Sequence, residues 1–97
     1  MIIKLKGEYR TRTVWVNGQK LHPGPSQKVY NHSPDGFNWG YAGSGPAQLA
    51  LAILLEFYDS EYAVKRHQDF KWLYITTLPS SDFETEIDLT CFENSQE

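Results

Sequence analysis

The stretch from Ser44 to Tyr58 limits the fold of this chain more than any other. Every residue from Leu49 to Leu55 is apolar, and Ala47–Tyr58 consists mostly of good helix formers with no internal glycine or proline. Ser44-Gly45-Pro46 marks the start. Ser44 or Gly45 can cap the helix, and Pro46 suits a first turn in which its missing N–H is not needed. The expected helix covers about 46–58 and has almost no wet face. A helix apolar on all sides has to be covered on several of them. A chain of 97 residues supports a single core, so this helix belongs at its centre.

The remaining segments supply what covers it. Met1–Lys6 alternates Ile3 and Leu5 with Lys4 and Lys6, the period of a half-buried strand, which Gly7 interrupts. Tyr9–Val16 favours extended backbone, and Asn17-Gly18 is a two-residue hairpin turn returning the chain through Gln19–Leu21. His22-Pro23-Gly24-Pro25-Ser26 breaks regular structure, and Gln27–Asn31 is expected as a third strand. A short helix is expected near 60–67, then a strand over Gln68–Leu78 ended by Pro79-Ser80-Ser81-Asp82. Thr85–Phe92 is assigned as a short helix in preference to a last strand, because acids crowd its first turn. The tail Glu93–Glu97 is expected to fray. The class is α+β, a small mostly antiparallel sheet packed around one central helix. It forms a single domain over 1–97, with N-terminal strands and hairpin to 31 and a loop at 32–45. The central helix follows, then a helix, strand and short terminal element over 59–92.

Composition and charge exclude several classes. No apolar run is long enough to span a membrane, and MIIKLKGEYR lacks the apolar core of a signal peptide. Cys91 is alone and forms no internal disulfide, which points to a reducing, cytoplasmic setting. Residues 1–30 carry six bases against Glu8, a balance of +5. The rest carries three bases against eleven acids, a balance of −8, and together these give the net −3. Overall acidity argues against a duplex nucleic acid partner. The split suggests steering of a charged partner or head-to-tail meeting of two copies. Met1–Lys6 as an edge strand would also pair in a homodimer, and a monomer is the other expectation.

Four of the seven glycines fall between Gly36 and Gly45, interleaved with Phe37, Trp39 and Tyr41. This loop delivers the chain to a helix N-terminus, where unpaired N–H groups and the helix dipole suit an anion. Flat rings beside such a seat suit a nucleotide-like ligand. The candidate binding residues are His32, Ser33, Asn38, Trp39, Tyr41, Gly43, Ser44, Gly45 and Gln48, with Asp69 and Lys71 from the later segment. On a strand, Asp69 and Lys71 would point the same way. The loop also has a purely architectural reading, in which Ser44-Gly45-Pro46 caps the helix, the glycines turn the chain and Trp39 plugs the core. The glycine spacing matches neither the P-loop nor the dinucleotide pattern, and Ala42–Pro46 does not match the hydrolase nucleophile elbow. A hydrolase or nuclease would draw on His32, Ser44 and Asp69, but no spacing compels a triad, so no catalytic residue is assigned. His22, His32, His67 and Cys91 are too scattered for a metal site, and no cofactor is expected.

The block Asn31-His32-Ser33-Pro34-Asp35-Gly36-Phe37, then Trp39-Gly40-Tyr41, then Gly43–Ala52, resembles the signature of a domain-of-unknown-function family of short bacterial and phage proteins. Gln68-Asp69-Phe70-Lys71 is similar to that family's second block. The resemblance runs from about Tyr9 to Leu78 and is weaker after Pro79. It implies a small domain common near mobile elements and brings no established activity. By association it raises a second reading, a protein-binding inhibitor of a host defence protein. The first reading is a non-enzymatic binding protein for a small anionic ligand.

Overall fold

A computed structural model describes residues 1–95. The apolar segment forms α2 (Ser44–Leu55), in which every residue from Gly45 to Leu54 is buried. Around it in chain order stand β1 (Ile2–Glu8), β2 (Thr13–Val16), β3 (Gln19–Leu21), α1 (Gly24–Val29), α3 (Ser60–Phe70), a π-helical turn (Lys71–Ile75), β4 (Phe83–Asp88) and α4 (Leu89–Glu93). The four strands form one antiparallel sheet in the order β3-β2-β1-β4. The helices lie on one face of it. Ile3, Leu5, Val14, Val16, Leu21, Phe83 and Ile87 point from the sheet into a core shared with α2, Phe70, Ile75, Leu89 and Phe92. The α+β class and the buried central helix are as expected.

The hairpin at Asn17-Gly18 forms as its chemistry dictates, with φ of 51° and 83° at the two residues. Elsewhere tertiary contacts overrode local preference. Gln27–Asn31 is not a third strand. Pro25 in the first turn has its φ preset for a helix, Ser26 Oγ donates to Pro23 O at 2.7 Å, and 24–29 closes as α1. α2 begins two residues before Pro46 and ends at Leu55, followed by a turn in which Tyr58 N donates to Leu54 O. The expected strand over 68–78 is helical as far as Ile75 and then a turn. α3 is capped by Asp59, whose carboxylate accepts from Tyr62 N at 2.8 Å, and it runs on to Phe70. The π turn then follows, its i→i+5 bond running from Thr76 N to Lys71 O at 3.0 Å.

The expected terminal helix over 85–92 is instead β4 followed by α4. Phe83 and Ile87 face the core at strand period, while Glu84 and Glu86 stand on the far face, opposite Lys6 and Lys4 in register. Of the acids expected in a first helical turn, Glu86 is the cross-strand partner of Lys4 and Asp88 ends the strand. α4 begins at Leu89, capped by Asp88 through Thr90 N at 2.9 Å. The same register brings the basic start of the chain beside its acidic end, with Lys6 and Glu84 meeting at 4.0 Å on the exposed face. Nor is Met1–Lys6 an edge: β1 runs unbroken through Gly7 between β2 and β4. Gly7 is the place where the Phe83 ring lies directly on the strand, and a Cβ there would stand 2.1 Å from it. Of the expected frayed tail, Glu93 accepts from Tyr58 Oη at 2.6 Å and Ser95 Oγ accepts from Arg66 at 2.9 Å. Residues 96–97 lie outside the described residues.

Candidate functional site

The candidate binding residues do not converge on one point. The centre that does form is built from Gln48. This side chain is fully buried in α2 with all four hydrogen-bonding positions filled. Its Oε1 accepts from the backbone N–H groups of His32 and Ser33 at 2.7 and 2.9 Å. Its Nε2 donates to Ser26 Oγ at 2.9 Å and Tyr30 O at 3.1 Å. One side chain therefore pins α1 and the start of the loop to the central helix, and it fixes where His32 stands. Gln48 has no valence left for a ligand; it positions His32 and Ser33.

His32 meets His67 of α3, with their Nε2 atoms 2.8 Å apart. The tautomers follow from the partners. His67 Nδ1 is 2.6 Å from Val64 O, a carbonyl that only accepts, so Nδ1 carries a proton and, in the neutral ring, Nε2 is the acceptor. His32 then donates from Nε2, and among the described residues no hydrogen bond reaches its Nδ1. Tyr30 stacks on His32, with ring centroids 4.2 Å apart and planes at 15°, and its outer side is exposed. Burial, the neighbouring His67 and the Lys71 charge, in that order, hold the His32 imidazole below its ordinary pKa.

Lys71 completes the cluster. It is 9% exposed, and among the described residues no carboxylate oxygen lies within 4 Å of its ammonium. Its Nζ lies 4.9 Å from the ring centroid of Trp72, which is itself 59% exposed. The stem is covered while the ammonium still reaches solvent, as a lysine lying along an aromatic ring does. Its charge acts on His32, and His67 stands four residues before it along the helical path, where side chains share a face.

The first turn of α2 is the other candidate seat. Ala47 N donates to Gly43 O at 3.1 Å, Pro46 has no N–H, and Gly45 is buried beneath Asn38. A Cβ on Gly45 would stand 2.6 Å from that of Asn38, so only glycine permits the approach. Ser44 is left as the exposed part of the turn. Asn38 is occupied too: its Oδ1 accepts from Trp39 N at 2.9 Å and from Arg12 Nε at 3.1 Å. Trp39 is fully buried, edge-on to Tyr9 and Phe83, and its Nε1 donates to Ser81 O at 3.0 Å. It plugs the core and has no face for a ligand. Tyr41 is half exposed, its ring lying over Gly43.

Asp69 and Lys71, on a helical path, do not point the same way. Asp69 pairs with the buried Arg66 at 3.1 Å, and Arg66 continues to Tyr62, Phe92 O and Ser95. Among the described residues, His32, Ser44 and Asp69 make no hydrogen bond to one another, so they form no triad. His67, Tyr30 and Trp72 were outside the candidate set. Spacing could have found His67, which lies four residues before Lys71, but only once that segment is known to be helical. Among the described residues no three His, Cys, Asp or Glu side chains converge as metal ligands, and no helix is long and apolar enough to cross a membrane.

No curated protein and no solved structure gives a significant match to the chain. A family model does match, over residues 5–92. It extends past the Tyr9–Leu78 span of the resemblance and takes in β4 and α4. The chain belongs to that family, a family of unknown function (DUF6166).

Proposed function

We propose that this domain is a non-enzymatic binding protein for a small anionic, ring-bearing ligand of the nucleotide class. The ligand sits at Lys71, His32 and His67 rather than on the first turn of α2. The observation that carries this is Lys71, whose stem is buried, whose ammonium has no carboxylate within 4 Å among the described residues, and whose charge acts on His32. A phosphate oxygen there supplies the missing counter-charge and accepts from Lys71. The exposed outer face of Tyr30 and the ring of Trp72 offer stacking surfaces for a base.

Calorimetry with nucleoside mono- and triphosphates, cyclic nucleotides and inorganic phosphate tests the proposal, with Lys71→Met alongside. Binding to the native chain that is lost in the folded variant supports it. A flat response to every compound from a folded native sample refutes it.

A second reading, a protein-binding inhibitor, draws on the exposure of Trp72 and Leu73 on the outside of the π turn. Capture of a host protein that survives Lys71→Met but not Trp72→Ala would favour that reading.

A further inference from the structure

β4 leaves the sheet open. It pairs with β1 on one side and, among the described residues, has no neighbour on the other. The phase of its backbone follows from β1. Lys4 O accepts from Asn17 N at 2.8 Å and Lys4 N donates to Asn17 Oδ1 at 2.9 Å, so the Lys4 peptide groups face β2. Alternation along an antiparallel ladder then makes Lys4↔Glu86 a non-hydrogen-bonded pair, and Lys6↔Glu84 another. The N–H and C=O groups of Glu84 and Glu86 therefore point away from β1, out of the sheet edge. No other group among the described residues bonds them.

A groove of about 510 Å³ runs along this edge, walled by Tyr74, Thr77, Leu78 and Pro79 on one side and by β4 on the other. The two sides of the strand differ. Phe83 and Ile87 face the core, on the side where Tyr74 and Leu78 lie half buried. Glu84 and Glu86 stand on the opposite, bare face of the sheet. Glu84 is 77% exposed and touches Lys6 only at 4.0 Å, while Glu86 has no cation within that distance among the described residues.

We infer that the β4 edge is a docking site for an extended, cationic segment of a partner protein. That segment adds as a fifth strand, with Lys or Arg at alternate positions beside Glu84 and Glu86. Its intervening apolar residues enter the groove against Tyr74 and Leu78. Strand addition draws affinity from main-chain hydrogen bonds and specificity from alternate side chains. The pattern already exists on the other side of β4, where β1 presents Lys4 and Lys6 to the same two glutamates. A second copy of the edge does not fit. Pairing β4 with β4 sets Glu84, Glu86 and Asp88 of both copies on neighbouring strands, and like charges across a ladder are destabilising. This inference rests on the sheet edge and is independent of the Lys71 cluster.

The test is fluorescence anisotropy of a labelled peptide, acetyl-Ile-Lys-Val-Lys-Val-Lys-amide, against the full chain, with the Ile-Glu-Val-Glu-Val-Glu counterpart as control. The cationic peptide should bind at least about tenfold more tightly than the acidic one, the effect of two cross-strand charge pairs together. The exposed Glu84→Lys/Glu86→Lys variant should reverse that order. Glu86→Pro removes an outward N–H without touching the β1 ladder, and should weaken the cationic peptide while circular dichroism stays native. Amide shifts on binding should centre on residues 82–88. Equal affinity for the two peptides, shifts confined to Trp15 and the bare face, or a β4-paired dimer in sedimentation would each overturn the inference.

Discussion

Replacing Gln48 with leucine should cost more than an ordinary polar-to-apolar change in a helix. The side chain is fully buried and joins three pieces of chain through four hydrogen bonds of 2.7–3.1 Å. Leucine fits the space but leaves the His32 and Ser33 N–H groups and the Tyr30 carbonyl without protein partners. Ser26 Oγ keeps its bond to Pro23 O and loses only an acceptor role. At about 1 kcal/mol for each unmet group, the loss is about 3 kcal/mol. It stays in this range because His32 and Ser33 are only half buried, so water reaches part of what the glutamine held. A domain of this size has roughly 5–15 kcal/mol in total, so the variant remains folded. Urea denaturation measures the change, and hydrogen exchange at the His32 and Ser33 amides localises it. A loss below about 1 kcal/mol with unchanged exchange at both amides would refute the clamp role of Gln48.

Other outcomes follow from the same geometry. Trp39→Ala should destabilise by about 3–5 kcal/mol in urea melts, the cost of emptying a fully buried tryptophan site, with the Nε1 bond to Ser81 lost as well. Gly7→Ala should cost about 1–3 kcal/mol in the same assay, because the new Cβ drives the Phe83 ring off the strand. The His32 pKa is lowered on folding, so the unfolded chain binds the proton more readily. This contribution to stability is complete above about pH 6.5 and declines as pH falls through the folded-state value. His32→Asn should flatten that part of a stability–pH curve, and an unaltered curve would contradict the assignment.

What the sequence disclosed and what it hid divide along physical lines. α2 was legible because an apolar run with a proline-marked start has one good solution, and Asn17-Gly18 because a two-residue turn needs positive φ. β4 was misassigned because Glu86 and Asp88 read as first-turn helix acids, whereas Glu86 is the cross-strand neighbour of Lys4, far off in sequence, and Asp88 caps α4. The 68–78 segment was misassigned because its β-branched and aromatic residues signal a strand locally, whereas Phe70, Lys71 and Ile75 are turned inward by a helix and a π turn. The same error hid the site. Lys71 joins His67 only on a helical path, so a strand reading placed Asp69 in the site and left His67 out. The glycine and aromatic cluster was visible as a special loop, but Trp39 and Gly45 build the core and the helix start. The proposed site instead takes in the loop's beginning, where Gln48 holds His32.

The most direct test of the account reads the two histidines themselves. Imidazole ¹⁵N spectra of the native chain, recorded across pH 5–8 with and without nucleotide, report tautomer and pKa at His32 and His67 separately. The account predicts His67 protonated at Nδ1 and His32 at Nε2 in the free protein. It also predicts a His32 pKa that rises when an anion settles beside Lys71, with the rise absent in Lys71→Met. Histidine signals that do not respond to any nucleotide or to phosphate would contradict it.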